Sequence, residues 1–446
     1  MVSILRALRQ IKDDLATHLS PTFIESVCRE VGYHWRDRVL NPVTTIHLFI
    51  LQILQFNTAC AHLRHLTNKS FSASAYCQAR SRLPLAVIKT LISRMGAGMQ
   101  QFASHAGMWK GHRTILIDGS SYSMPDTPEL QAHFGQHGQQ KAGCGFPIAH
   151  LLAIFDAASG LVLDLIAAPM RTHDMSHVHK LHPQLRPGDV LVGDRGFCSY
   201  AHLALILKDS LHACFRMHQI QIVDFRAGRP HAIGKHARGL PRSRWIRAVG
   251  TLDQIVEWIK PSNRPQWTEQ ADFDALPESI LVRELRYRIE VPGFRPSVIT
   301  LVTTLLDAKT YPAQDLAELY KARWAVETCF AHLKTTMGME KLHCKSVDGV
   351  MKELWMFALV YNLVRVVMLE AARRQGVAPQ RISFADALRW LALAPPDAKL
   401  PALLVNPLRP HRIEPRVVKR RPKSHKLMTQ HRDILRKQLQ LHRKTA

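Results

Sequence analysis

Hydrophobic and polar positions change their period along the chain. Through the first hundred residues apolar side chains recur at helical spacing between short polar breaks, with no run of strand alternation. This predicts a helical domain over residues 1–107. From Arg113 the apolar runs become short and β-like. Residues 114–117, Thr-Ile-Leu-Ile, read as a buried strand that ends on Asp118, followed by Gly119, Ser120 and Ser121. Residues 147–155 and 161–168 read as two strands of a hairpin joined by Asp156-Ala-Ala-Ser-Gly160. A polar helical stretch over 173–185 follows, then a strand over 189–193 that delivers Asp194, with Arg195-Gly196-Phe197 behind it. A helix over 200–207 and a strand over 212–216 close this part.

The order is therefore strand with Asp, two strands, helix, strand with Asp, helix, strand. It is the order of an α/β, ribonuclease-H-like sheet, in which the first and fourth strands lie side by side and their carboxylates converge. The plainer alternative for each aspartate is a turn residue after a strand.

Residues 217–296 interrupt this plan with a stretch rich in Arg, Pro and Trp. One alternating strand is clear, Leu285, Tyr287 and Ile289 opposite Arg286, Arg288 and Glu290, which predicts a β-rich insertion. Arg242, Arg244, Trp245, Arg247, Trp258, Trp267 and Phe294 are its candidates for contact with a nucleic-acid backbone or a splayed base. An irregular surface subdomain is the alternative. A strand over 297–306 resumes the core, and Pro312 and Asp315 open a long helix.

In that helix, at about 100° per residue, Tyr320, Arg323, Glu327 and Lys334 fall within roughly 60° of one another as a polar stripe. Leu319, Ala322, Val326, Phe330, Leu333 and Met337 form the adjacent apolar face, so the Glu327 carboxylate is expected at the rim of a core. Simple i,i+4 pairing of Arg323 with Glu327 on a helix surface explains the same spacing. Apolar helices follow over 351–373 and 384–393. The last stretch, 409–446, is a basic tail with only Glu414 and Asp433 against many Lys and Arg.

Composition narrows the partner. The chain has 446 residues, more than one ordinary core, with 60 Lys and Arg against 35 Asp and Glu and a formal charge of +25. Such a surface favours a polyanion, and double-stranded DNA suits it better than a membrane. The best spanning candidate, 354–369, is short and interrupted by Asn362 and Arg365. Lys12, Asp13 and Asp14 cut short any signal-peptide pattern, so a cytoplasmic, nucleoid-associated protein is expected. The cysteines are scattered singly, without the pairs that structural zinc needs. His173, His177, His179 and His182 contain an i,i+4 pair able to hold a metal, but a solvated helix surface is the commoner outcome. In 71–84, Ser72 or Ser74 can cap a short helix that ends before Pro84 and presents Gln78, Arg80 and Arg82 either to a major groove or simply to solvent.

Asp118 in Leu-Ile-Asp-Gly-Ser, Asp194 in Val-Gly-Asp-Arg-Gly-Phe, and Tyr320, Arg323, Glu327 and Lys334 in the spacing Y-x2-R-x3-E-x6-K resemble the DDE transposases of bacterial insertion sequences, in the branch typified by insertion sequence four. The resemblance covers residues 20–370. It implies that Asp118, Asp194 and Glu327 are the catalytic and metal-binding carboxylates for two Mg²⁺ ions, with Mn²⁺ as a substitute. Tyr320, Arg323 and Lys334, with Arg195 and Arg216 nearby, then support the site or hold DNA. It further implies that the enzyme binds its own element ends, cuts them, joins the 3′-hydroxyls to target DNA, and does so as a homodimer in a synaptic complex. Members of the branch place an aromatic platform for a flipped base near the strand before the last carboxylate. The strand 297–306 has no aromatic, which leaves Trp267 and Phe294. The expected division is a helical DNA-binding domain over 1–107, catalytic core over 108–216 and 297–345, insertion over 217–296, C-terminal helices over 346–408 and the tail. The competing functions are a DNA-binding descendant of such an enzyme that no longer cuts, and a metal nuclease of the same fold that does not join.

Overall fold

The computed structural model describes residues 19–103, 107–172, 174–231, 240–289, 297–395, 398–407 and 430–445. His173, Phe294 and residues 408–429 of the tail lie outside them.

The front of the chain is helical: α1 (Pro21–Glu30), α2 (Pro42–Leu54), the single turn α3 (Cys60–Leu63), α4 (Ala73–Arg82) and α5 (Leu85–Ala103). Small polar residues start them. Ser20, Asn41 and Ser72 each accept a backbone N–H from the first turn, and Pro follows the cap in α1 and α2, where its missing N–H costs nothing. Of the two serines expected to cap α4, Ser72 does so. Every residue of α2 is buried, which places it at the centre of the helical layer.

The sheet contains β1 (Thr114–Ser123), β2 (Ile148–Asp156), β3 (Val162–Pro169), β4 (Val190–Gly193), β5 (His212–Arg216), β6 (Arg242–Gly250), β7 (Asp253–Ile259), β8 (Ser279–Ile289) and β9 (Ser297–Thr303) in the order β3-β2-β1-β4-β5-β9-β8-β7-β6. β1 runs antiparallel to β2 and parallel to β4, and β4 runs parallel to β5. The first and fourth strands are thus neighbours, as the order of elements predicted. The strands of the 217–296 segment continue the same sheet, because β9 pairs with β5 on one side and β8 on the other.

Helix α6 (Pro128–Phe134) lies in the β1–β2 connection, α7 (Tyr200–Lys208) between β4 and β5, and α8 (Gln270–Asp274) between β7 and β8. The expected polar helix over 173–185 is instead two 3₁₀ segments, Asp174–Ser176 and Val178–Gln184. Pro183 sits inside the second and has no N–H to donate to an α-helical turn.

After β9 the chain winds through α9 (Ala313–Lys321), a 3₁₀ turn (Ala322–Trp324), α10 (Ala325–Ala331) and a π turn (His332–Thr336). The helices α11 (Val347–Gln375) and α12 (Phe384–Leu393) follow, and α13 (Arg432–Thr445) ends the described chain. α11 is long and apolar enough to cross a membrane, but 94% of its apolar window is buried inside the protein. The two polar residues that interrupt it are paired. Asn362 exchanges two 2.9 Å hydrogen bonds with the backbone of Val162, and Arg365 Nε donates to Ser159 O at 2.9 Å. Gly160, at φ +71°, leaves room for that guanidinium; a Cβ there would meet Arg365 Nη2 at 2.3 Å. One face of the sheet shares a core with the front helices and α11, and the other packs on α7 and the 3₁₀ segments.

Candidate active site

Asp118 stands on β1 and Asp194 directly after β4. The parallel register pairs Leu116 with Val192, so two residues further on the carboxylates reach the same level of adjacent strands. Both are held by backbone. Asp118 Oδ1 accepts the N–H of Gly119 at 2.8 Å, and Asp194 Oδ1 accepts that of Gly196 at 2.7 Å, capping a 3₁₀ turn over Arg195–Phe197. Burial pushes the Asp118 carboxyl up to about 6, and the charge of Asp194 adds to the rise, against the pull of the Gly119 amide and of Arg323. Two carboxylates at one sheet end, one of them costly to ionise, make a place where negative charge is under-compensated.

The helix supplies the remainder. Arg323, in the 3₁₀ turn, lies with Nη1 3.5 Å from Asp118 Oδ2 and Nη2 3.2 Å from Glu327 Oε1, so one guanidinium joins a strand carboxylate to the helix carboxylate. The Glu327 side chain is 64% exposed. Tyr320 is buried beneath, its ring 5.9 Å from the guanidinium carbon, and burial raises its phenol pKa. Lys334, from the π turn, donates to Ser120 Oγ and to Ser121 O, both at 3.1 Å, and lies 5.1 Å from the Tyr122 ring. The lysine ties the helix to β1. Burial pulls its pKa down.

Residues 109–363 match the family model described as the transposase DDE domain. The chain belongs to the DDE transposase family. It is 26% identical to the transposase InsG of insertion sequence element IS4 from Escherichia coli (strain K12) over 80% of this chain and 78% of that one. It is 20% identical to the transposase of insertion sequence element IS231C from Bacillus thuringiensis subsp. berliner over 84% of each. Among solved structures it is similar to the piggyBac transposase in a synaptic complex with hairpin DNA, at 10% identity and a TM-score of 0.42, over 90% of this chain and 81% of that one.

Other predicted residues of the transposase are distributed differently. Arg195 and Arg216 are exposed beside the strand ends, Arg195 donating to Gln219 Oε1 at 2.7 Å. Gln78 and Arg82 are exposed on α4, but Arg80 turns inward, with its guanidinium 3.7 Å from the Phe49 ring and Nη1 3.0 Å from Gln52 Oε1. Arg80 is therefore withdrawn from the groove-reading set: its face of the short helix is the packed one. Trp258 is likewise core, 1% exposed and donating to Glu284 Oε1 at 2.9 Å, whereas Trp267 is half-buried and stacked on His179 at 5.9 Å. His182, expected on a solvated surface, is buried.

Two residues absent from the expected site stand next to it. His150 on β2 and Asp174 in the first 3₁₀ segment are hydrogen-bonded beside Gly119, where a Cβ would come within 2.8 Å of His150 Nε2 and 2.9 Å of Asp174 Oδ2. Asp174 adds to the rise of the Asp118 pKa. The available signal is strand period: His150 extends the face of β2 that carries Leu152 and Ile154 into one core.

Among the described residues no three His, Cys, Asp or Glu side chains lie together closely enough to hold one metal ion. The donor chemistry suits a hard cation nevertheless. Asp118, Asp194 and Glu327 offer oxygen only, and the raised Asp118 pKa marks charge that a divalent ion would neutralise.

Proposed function

We propose that this transposase has a ribonuclease-H-like core in which Asp118, Asp194 and Glu327 hold two Mg²⁺ ions, Mn²⁺ serving in their place, and that it cuts the ends of its own insertion sequence and joins the 3′-hydroxyls to target DNA. The observation that carries the reading is the bridge by which Arg323 links Asp118 to Glu327, since it ties the helix carboxylate to a strand carboxylate. When bound by Asp118, Asp194 and Glu327, divalent ions would supply charge stabilisation for an in-line displacement at phosphorus. The protein's own part is to present the carboxylates and to hold phosphate. Asp118 and Asp194 give a fixed edge. Arg323 serves as counter-ion to two carboxylates and is suited to a phosphodiester oxygen when the site fills. Lys334 sets the height of the helix against β1, and buried Tyr320 backs the guanidinium.

DNA contact falls to the exposed Arg195 and Arg216 near the site, to Gln78 and Arg82 on α4, and to the basic sequence of the tail, with Trp267 as the base platform within the described residues. The +25 charge supports a large sequence-independent term. The active form is a homodimer on two ends, in the bacterial cytoplasm. Glu327→Gln tests the mechanism, because it keeps shape and removes one charge. On a duplex copied from the DNA flanking the gene, gel-shift affinity should persist while Mg²⁺-dependent nicking falls by about 10²–10³-fold, as loss of charge stabilisation implies. If the variant nicks like the parent, the three-carboxylate mechanism fails.

A further inference from the structure

The turn that carries Asp194 is fastened at its far end by buried histidines. Phe197 closes the turn, its ring lying against Gly193, where a Cβ would meet Phe197 Cδ2 at 2.9 Å. The Phe197 carbonyl accepts from Nδ1 of His202, a residue of α7 with no exposed surface, at 2.8 Å. His202 Nε2 lies 3.2 Å from His182 Nε2, and His182 Nδ1 lies 2.8 Å from Asp209 Oδ2. The two rings stack at 5.3 Å, and His202 stacks at 5.3 Å on Phe215 of β5.

The proton positions follow from the partners. A carbonyl oxygen only accepts, so His202 carries its proton on Nδ1. Burial drives the His202 pKa down to about 3, which keeps the ring neutral and leaves Nε2 as an acceptor. The Asp209 carboxylate only accepts, so the single proton of His182, whose pKa burial lowers, sits on Nδ1, and the His182 ring meets His202 by stacking rather than by a hydrogen bond to Nε2. The buried ring is packed from outside, by groups on the second 3₁₀ segment and at the end of α7.

We propose that His202 is a positioning residue for Asp194: through the Phe197 carbonyl it fixes the turn that aims this carboxylate, and His182, held by Asp209, packs against its ring. The inference rests on reading Asp194 as a metal carboxylate. Groups that orient a ligand from behind shift metal affinity by about 10–100-fold when removed.

The test uses the full chain with His202→Phe, which keeps the ring and its stacking but loses the donor, and His202→Asn, whose amide restores a donor at the Nδ1 position. Mn²⁺ binding to the DNA-free protein is followed by titration calorimetry, alongside the Mg²⁺ midpoint of nicking on the flanking-end duplex and metal-free gel shift. His202→Phe should weaken Mn²⁺ binding and raise the Mg²⁺ midpoint by about tenfold with duplex affinity unchanged, and His202→Asn should recover most of the loss. Parental metal affinity in His202→Phe, or equal losses in both variants, overturns the proposal. Should His202→Phe not fold, His202→Leu, which also loses the donor, decides: the same weakening supports the positioning role and parental metal affinity overturns it. Asp194→Asn is the control. If it nicks like the parent, the reading of Asp194 has failed; if it is inactive while His202→Phe is parental, only the positioning role has.

Discussion

Asp118 stands in the sheet and Asp194 directly after a sheet strand, each carboxylate taking a neighbouring amide, whereas Glu327 stands on a helix whose winding tightens to 3₁₀ before it and loosens to π after it. The strand residues are half-buried and the helix residue is mostly exposed, tied by one guanidinium. Departures from α winding inside a helix concentrate at functional sites, because they re-aim side chains without ending the helix. The comparison suggests a site with a rigid half and an adjustable half. Lys334 and Arg323 are the two cationic ties between them.

The largest effect should come from changing carboxylate length on each half. Asp118→Asn and Asp194→Asn should reduce nicking by about 10²–10³-fold with end binding retained. Asp118→Glu should be as poor as Asp118→Asn, since backbone held in the β1–β2 ladder opposite Ala153 cannot withdraw to accommodate a methylene. Glu327→Asp, on the helix, should keep measurable activity. Nicking rates for the pair decide the matter, and equal losses would erase the distinction between halves.

Cutting the ties comes next. Lys334→Ala removes both bonds to β1, and a reacting group displaced by about 1 Å loses on the order of 10² in rate. Nicking should fall by up to that factor. Arg323→Ala should weaken duplex binding as well as nicking, because its guanidinium is suited to phosphate. Lys334→Ala with a parental rate would show that the helix holds its height without the tether.

What could be read from residues alone was whatever depends on short-range pattern. The apolar run ending on Asp194 located the end of β4, the one ending on Asp118 marked only where β1 turns polar on its way to Ser123, and the spacing from Tyr320 to Lys334 located the helix face. Long-range partners were hidden. Arg80 looks like a surface cation until Phe49 and Gln52 close over it, and His182 looks solvated until Asp209 and His202 reach it from another element. His150 and Asp174 become a pair only through the β1–β2 register and the turn after β3. The changes of winding around Glu327 were not legible either, since a 100° wheel assumes one pitch throughout. The 217–296 strands read as an excursion, and only the pairing of β9 with both β5 and β8 makes them part of the central sheet.

The smallest effect separates the halves by stability rather than rate. Burial and Asp194 hold the Asp118 pKa at about 6, above its ordinary 3.8, so its ionisation is less favourable in the folded protein than in the unfolded one. The stability linked to its protonated form is whole below pH 3.8 and is lost as pH rises through about 6. At pH 8 without divalent metal, Asp118→Asn should therefore be more stable than the parent by about 1–3 kcal/mol, and at pH 4 the two should nearly coincide. Glu327→Gln, at an exposed carboxylate, should stay within about 0.5 kcal/mol of the parent at both pH values. Urea unfolding at the two pH values measures both. Adding Mg²⁺ at pH 8 should then stabilise the parent and leave Asp118→Asn almost unmoved, because a bound ion favours the folded state only where the carboxylates hold it. A Mg²⁺ response of equal size in both proteins would mean that the ion binds elsewhere and that the buried strand carboxylate is not its ligand.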